Sequence, residues 1–338
     1  MKLNNVDRRI WNDELDPFVP KQVFDVHTHY YRWEHNTDPD KQTGPEANLG
    51  RDFPNVDRAC LDSWDALLLP GRRVQRLSFG YPFSRACDFQ AANRFTAEQA
   101  KTAPGSAALM LVHPTMSNDV LEERIQTGGF LGFKPYRFYA VSGDPVECRI
   151  TEFLPEKQIE VAQRHGLIVM LHIAKRNAIA DRENVDDVLR LSAKYPNVRW
   201  ILAHCARSYS DWAIERAVKD LRGLPNVWYD TSTVCESDAI EALMAGVGPE
   251  RVMYGSDSPG SLVRGKYITF GYAWTDLTER NHSLDLSHCN PQMTFILYEQ
   301  LRAMRRAAMR LKLTRPQIED LFCNTAVQLV QSVRHGLS

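Results

Sequence analysis

Short apolar or β-branched runs recur along this chain, separated by longer stretches patterned at helical spacing. Eight runs stand out, at residues 23–30, 73–80, 107–112, 130–136, 167–173, 198–204, 227–232 and 252–256. Continuous apolar runs bounded by turn residues predict strands buried on both faces. Helices are predicted between them, over 57–69 and 85–103 after the first two runs. Ser117 or Asn118 caps a third that ends at Gly128-Gly129. Leu154-Pro155-Glu156 opens a fourth that runs to His165-Gly166. Val185 to Tyr195, Asp211 to Leu221 and Ser237 to Ala245 repeat the pattern, and helices over 291–312 and 315–333 close the chain. Alternating strands and helices imply a parallel sheet, and eight strands favour its closure into a barrel. The predicted class is α/β: a (β/α)8 TIM barrel with long loops after strands 1 and 8 and extra C-terminal helices. One domain over 1–338 is expected, with its core at about 23–333. The long loops cover 31–56, which carries the turn formers Asn36-Thr37-Asp38-Pro39-Asp40, and 258–290, rich in Gly, Tyr and Trp. Both leave the C-terminal ends of strands. They are expected to wall or cover a pocket, with oligomer contacts an equal claim on 258–290.

Composition narrows the partners. A chain of 338 residues that is 43% apolar can fill a barrel core. A net charge of −1 leaves no basic field for nucleic acid. The seven cysteines lie far apart without a C-x-x-C, which points to reduced thiols in a cytosol. Met1 to Asp16 lacks the apolar core of a signal peptide, and no run is long enough to span a bilayer. The expectation is a cytoplasmic protein with a small-molecule substrate and neither nucleic acid nor membrane as partner.

The chemistry is concentrated at strand ends. His27 and His29 lie two apart in Val23-Phe24-Asp25-Val26-His27-Thr28-His29-Tyr30, so both imidazoles face the same way. His172 ends Leu167-Ile168-Val169-Met170-Leu171, His204 ends Trp200-Ile201-Leu202-Ala203, and Asp257 follows Val252-Met253-Tyr254-Gly255-Ser256. Barrel strand ends converge on one mouth, so these residues can surround a single ion. Imidazoles and a carboxylate suit a divalent metal, zinc first, with manganese, iron and cobalt also admitted. Such an ion makes hydroxide available near neutral pH, and a neighbouring carboxylate can take the proton. A lone H-x-H or a lone strand-end His is more often structural; the joint pattern carries the inference.

The segments Phe24-Asp25-Val26-His27-Thr28-His29, Leu171-His172, Leu202-Ala203-His204, Met253-Tyr254-Gly255-Ser256-Asp257-Ser258-Pro259 and Cys323-Asn324-Thr325-Ala326 resemble the amidohydrolase superfamily. The similarity is to its amidohydrolase-related branch of metal-dependent hydrolases and decarboxylases, and it spans about residues 23–330. It implies that His27, His29, His172 and Asp257 are metal ligands and that Asp257 handles the proton of the attacking water. By the same likeness His204 binds a second ion or acts as an acid/base beside the first. It is compatible with a homo-oligomer. Lys134, in Gly129-Phe130-Leu131-Gly132-Phe133-Lys134-Pro135, matches a fourth-strand lysine that is carboxylated in two-metal members, but Pro135 departs from that pattern. A cationic Lys134 that binds a substrate anion is the preferred reading, and a surface lysine is the bland one. Arg137 and Arg207 follow on strand-end loops; guanidinium forks suit carboxylates, though such an arginine alone more often forms a surface ion pair than a substrate contact. Together with Lys134 they hint at an acidic substrate. Tyr30 and Tyr31 either line the mouth or pack beneath it, and His113 is expected to be structural.

Three functions remain open to the sequence. The leading one is hydrolysis of an amide, lactone or similar carbonyl bond by metal-activated water, with Asp257 and His204 as catalytic residues. The second is non-oxidative decarboxylation of a carboxylic acid on the same ligands. The third is a barrel that keeps the ligands but only binds or regulates.

Overall fold

The structure, a computed structural model, describes residues 1–38, 45–83 and 86–337. Pro39 and Asp40 of the expected turn, and Arg85 at the start of an expected helix, lie outside the described residues. Eight parallel segments form the barrel. They are β1 (Gln22–His29), β2 (Arg73–Phe79), β3 (Ala107–Ala108 and Met110–Val112, interrupted at Leu109), β4 (Gly132–Pro135), β5 (Ile168–Leu171), β6 (Arg199–Leu202), β7 (Val227–Asp230) and β8 (Val252–Met253). Each pairs in parallel with the next around the ring, with registers such as Phe24↔Gln75, Phe133↔Val169 and Leu171↔Leu202. At the break in β3, Leu109 N donates to Ser78 O at 2.9 Å, so the two parts act as one strand.

The ring closes between β8 and β1. Val26 N donates to Tyr254 O at 3.1 Å, Asp257 N to His27 O at 2.7 Å, and His29 N to Ser258 O at 3.0 Å. Asp25 reinforces the seam. Its carboxylate accepts from His27 N at 3.1 Å and from Ser256 N at 2.8 Å. Burial pushes this carboxyl up to about 7, against the pull of its Ser256 and His27 hydrogen bonds. The motif residue Asp25 therefore joins the first strand to the last directly beneath the histidines.

The strands are buried as their continuous apolar runs require. Every residue of β5 is at most 1% exposed, and Ile201 and Leu202 of β6 are fully buried. Caps mark the helix ends. The Ser117 side chain accepts from Val120 N, and Gly129 takes φ 72° past the end of Asn118–Gly128. Helix boundaries differ from the expected ones by a few residues, for example Phe89–Lys101 and Ile296–Arg310. The final predicted helix is three joined pieces, Arg315–Glu319, Asp320–Asn324 and Thr325–Leu337.

Neither long connection is an open loop. The first holds a two-residue ribbon pairing Tyr31–Arg32 with Asn55–Val56, a turn at Trp33–His35 and a helix, Pro45–Asp52. The second holds an antiparallel hairpin, β9 (Gly265–Phe270) with β10 (Ala273–Thr278). Tyr30 and Tyr31 are fully buried, so they pack rather than line the mouth. None of the seven cysteines pairs in a disulfide. Among the described residues, no helix is long and apolar enough to cross a membrane.

Glu156, at the start of helix Glu156–His165, ties that helix to Arg182–Lys194. Its carboxylate accepts from Lys194, from Tyr195 Oη at 2.8 Å and from Arg190. These donors, Lys194 foremost, hold its carboxyl down at about 2. A depressed carboxyl stabilises the fold above its unfolded value of ~4.3 and loses that contribution as pH falls toward the folded one. Glu156→Gln is expected to lower Tm at pH 7 by only about 1–2 °C, because the site is partly exposed. The gap to wild type should shrink as pH falls from 5 to 3. A constant gap over that range, read by thermal melts, would assign the contact to packing instead.

Candidate active site

The strand ends bring four histidines and two carboxylates together. His27 and His29 project from β1, with ring centroids 5.7 Å apart. Asp257 lies just past β8, with Oδ1 3.0 Å from His29 Nε2 and 3.4 Å from His27 Nε2. His204 follows β6, its ring 4.9 Å from that of His27. His172 follows β5, its ring 5.0 Å from that of His204. The tightest group is His27, His204 and Asp257, whose donor atoms all lie within 4.8 Å of one another. His29 adjoins it through Asp257, and His172 through His204.

Two backbone features make this convergence. Gly255 lacks a Cβ where one would stand 2.8 Å from the Cβ of His27, so β8 can lie close against β1. Beyond it, Asp257 takes φ 61° and turns its carboxylate toward the histidines. After β6 the chain does not continue straight, as a strand ending at His204 would. His204, Cys205, Ala206 and Arg207 all adopt positive φ, between 51° and 57°. Such backbone costs roughly 1–2 kcal/mol per non-glycine residue. It persists where the surroundings over-determine it, as at functional sites. Here His204 N donates to Asp230 Oδ1 at 3.0 Å and Arg207 Nη1 donates to Lys175 O at 2.6 Å.

The charge states follow from burial. Burial pushes His27 down to about 4, with Lys134 adding to it and Asp230 and Asp257 opposing. Burial, then the neighbouring His204, Arg137, Arg207 and Lys134, holds His172 well below its ordinary value. For Asp257 burial acts upward, but His27, His29 and His204 together outweigh it and keep the carboxyl below the usual range. His27 and His172 are therefore neutral imidazoles beside an anionic Asp257, the protonation a divalent metal requires. His172 Nδ1 is shielded from solvent and has no hydrogen-bond partner among the described residues. Buried imidazole nitrogen is rarely left this way without a use, and the donor set fits a divalent cation.

Asp257 is half-buried, with a side chain 26% exposed against 1% for His27 and 4% for His29. It faces a cavity of about 360 Å³ lined by His29, Asp257, Tyr81, Phe53, Tyr267 and Arg280, among others. Phe53 comes from the first long connection and Tyr267 from the second, so both wall the pocket as expected. Arg280 and Asp52 form an ion pair between them. Behind Tyr267, Tyr209 stacks on Trp274 at 4.2 Å and lies 6.2 Å from the His204 ring.

Three cations flank the metal-binding group. Lys134 is fully buried, which removes the surface reading. Its Nζ has no hydrogen-bond partner among the described residues and lies 4.7 Å from the Phe79 ring and 5.0 Å from that of Tyr136. Burial pushes it down to about 8, against the attraction of Asp230 and Asp257. Arg137 donates to Pro145 O, and Arg207 to Lys175 O. Among the described residues no carboxylate pairs with either, so the surface ion pairs open to the sequence do not form. Their Nε atoms are shielded and unpartnered. Burial, then the charge of Arg207, pushes Arg137 down to about 10. His113 has its Nδ1 2.8 Å from Thr115 Oγ1 and its ring 5.5 Å from that of Phe89.

Sequence reading missed Asp230 and Ser232. Asp230, the last residue of β7, is fully buried, with Oδ2 3.0 Å from His27 Nδ1. Burial drives its carboxyl up, and His27, His204 and Ser232 more than reverse this, keeping it anionic. The signal was present: a carboxylate at the C-terminal end of a barrel strand.

Comparison with known proteins agrees with this geometry. A family model described as amidohydrolase matches residues 24–292. No curated protein matches the chain. Among solved structures, an amidohydrolase from Burkholderia multivorans with bound zinc is 16% identical, covering 92% of this chain and 99% of its own, at a TM-score of 0.61. A putative 2-pyrone-4,6-dicarboxylic acid hydrolase from Pseudomonas putida is 17% identical, with coverage of 93% and 98% and a TM-score of 0.55. A dihydroxybenzoic acid decarboxylase from Polaromonas sp. JS666, with bound manganese and an inhibitor, 2-nitroresorcinol, is 13% identical, with coverage of 92% and 97% and a TM-score of 0.57. At these identities the likeness is one of fold, a TIM-type barrel.

Proposed function

We propose that this chain, which belongs to the amidohydrolase family, is a metal-dependent hydrolase acting on an amide, lactone or similar carbonyl bond of a small acidic substrate. The observation that carries this reading is the meeting of His27, His204 and Asp257 donor atoms within 4.8 Å, with Asp257 open to the cavity. The residues that would hold the metal are His27, His29, His172 and Asp257, with His204 beside them; zinc is the first choice, and manganese, iron or cobalt suit the same donors. Bound there, a divalent ion polarises a carbonyl oxygen and brings the pKa of water toward ~7.

The protein side chains do the rest. Asp257 takes the proton of the attacking water and returns it to the leaving atom. His204, in ring contact with His27 and His172, is the second group able to exchange a proton there. Arg137 and Arg207, with no carboxylate partner among the described residues, anchor a substrate carboxylate, and Lys134 adds positive potential behind it.

The same ligands would serve a decarboxylase. A carboxylate that leaves as carbon dioxide loses its charge in the transition state, so cations that grip it stabilise the ground state and slow the loss. The two guanidiniums thus support an anchor that survives the reaction, which favours hydrolysis. The test is turnover of carboxylate-bearing lactones and amides, and of aromatic and unsaturated acids, in ¹⁸O-water by zinc-loaded protein. One ¹⁸O in the ring-opened or cleaved product is expected. Release of carbon dioxide with no ¹⁸O uptake would replace the proposal with decarboxylation. Inertness across the panel in metal-loaded protein would favour a binding role.

A further inference from the structure

β7 supplies no histidine to the site, yet its end touches two of the imidazoles there. Asp230 Oδ2 lies 3.0 Å from His27 Nδ1. Asp230 Oδ1 accepts from His204 N and Ser232 N, each at 3.0 Å, and from Ser232 Oγ. Ser232 Oγ also lies 3.1 Å from His27 Nδ1 and 2.9 Å from His204 Nδ1. The Ser232 carbonyl lies 2.9 Å from His204 Nδ1 as well. A carboxylate and a carbonyl can only accept, so each Nδ1 facing them must carry its proton. In a neutral ring, the form that binds a metal, Nε2 is then left as a lone pair. On His27 that atom is the one 3.4 Å from Asp257 Oδ1.

We propose that Asp230 and Ser232 are positioning residues that lock His27 and His204 in the Nδ1-protonated tautomer, so that His27 presents its Nε2 lone pair to the metal ion and His204 its own to the proton exchanged beside it. The inference rests on the metal-dependent reading of the site. A hydrogen-bonded partner on the far side of a ligating imidazole fixes the ring and raises its basicity, and losing it typically costs 10–100-fold in metal affinity. The hydrogen-bond count at Asp230 makes the effect of Asp230→Asn specific. The three donors at Oδ1 require the amide oxygen on that side. The amide NH₂ then faces His27 Nδ1, which must become an acceptor, and the proton moves to Nε2, where it blocks the metal. An Asp-to-Asn change beside a catalytic histidine in serine proteases acts by the same wrong-tautomer route.

The experiment reads tautomers in metal-free protein by two-bond ¹H–¹⁵N correlation, with His27 and His204 assigned from His→Gln variants, and zinc affinity by chelator competition. Wild type is expected to show both rings protonated on Nδ1. Asp230→Asn should show His27 protonated on Nε2 and zinc bound ~10–100-fold more weakly, with an unchanged circular-dichroism spectrum. An Nε2-protonated His27 or His204 in wild type overturns the proposal, and this holds even if Asp230→Asn does not fold. A folded Asp230→Asn that keeps the Nδ1 proton on His27, or keeps its zinc affinity, overturns it too. Failure of the functional reading looks different: wild type would then bind no zinc while its tautomers remained as stated.

Discussion

Asp257→Asn is expected to lower kcat by at least about a thousandfold while leaving the fold intact. A positioned acid or base contributes about 10²–10⁴, and this carboxylate is also a proposed metal ligand. Asparagine has the same shape and is among the few residues that tolerate the left-handed region, which Asp257 occupies at φ 61°. Its amide can still pair with His29 Nε2, the atom 3.0 Å from Asp257 Oδ1. What it cannot do is carry the negative charge or accept a proton. Melts and circular dichroism should therefore match wild type closely, while kcat collapses even at zinc concentrations that saturate the variant. Retention of wild-type kcat in zinc-loaded Asp257→Asn would remove Asp257 from the mechanism. A restored kcat only at high zinc would make it a ligand alone.

Much of the barrel was readable because barrel strands are buried on both faces. Ile168–Leu171 lies within the run 167–173, and Val227–Asp230 within 227–232. Apolar continuity does not say where a ladder stops, however. β8 shrinks from 252–256 to Val252–Met253, since the chain must close on β1 past Gly255 and then turn at Asp257. The left-handed turn at His204 was invisible, because Ala203 to Arg207 contains no glycine to announce positive φ. The hairpin β9–β10 does carry a signal, β-branched and aromatic residues on either side of Gly271, but its Gly- and aromatic-rich composition equally describes a long loop. Asp230 ends its strand, but the run that contains it continues through Thr231 and Ser232, so in the sequence the carboxylate stands inside a strand rather than at its end. Partners were wholly out of reach. No sequence pattern reveals that Arg137 and Arg207 find no carboxylate among the described residues while Arg149 finds Asp187 at 2.7 Å.

That difference sets up the second large effect. Arg207→Met is expected to raise KM for a carboxylate-bearing substrate by about 10–100-fold, with kcat changed only a few-fold. A charge-assisted hydrogen bond is worth about 1.5–3 kcal/mol, and a contact made equally in ground and transition states shows in KM. The stability effect should have the opposite character. The two guanidiniums repel each other, and burial penalises both. Methionine keeps much of the side chain's bulk against Trp274, whose ring lies 5.8 Å from the guanidinium carbon. It gives up the bond to Lys175 O but also removes an uncompensated charge from a shielded site. Tm should therefore stay level or rise slightly in the free enzyme, and stabilisation by added substrate or a carboxylate product should shrink. The double variant with Arg137→Met should weaken binding less than the product of the single losses if both forks grip one carboxylate. A marked fall in Tm with KM unchanged would make Arg207 a brace for the turn that carries His204, and the substrate's charge would then have to be recognised by other groups.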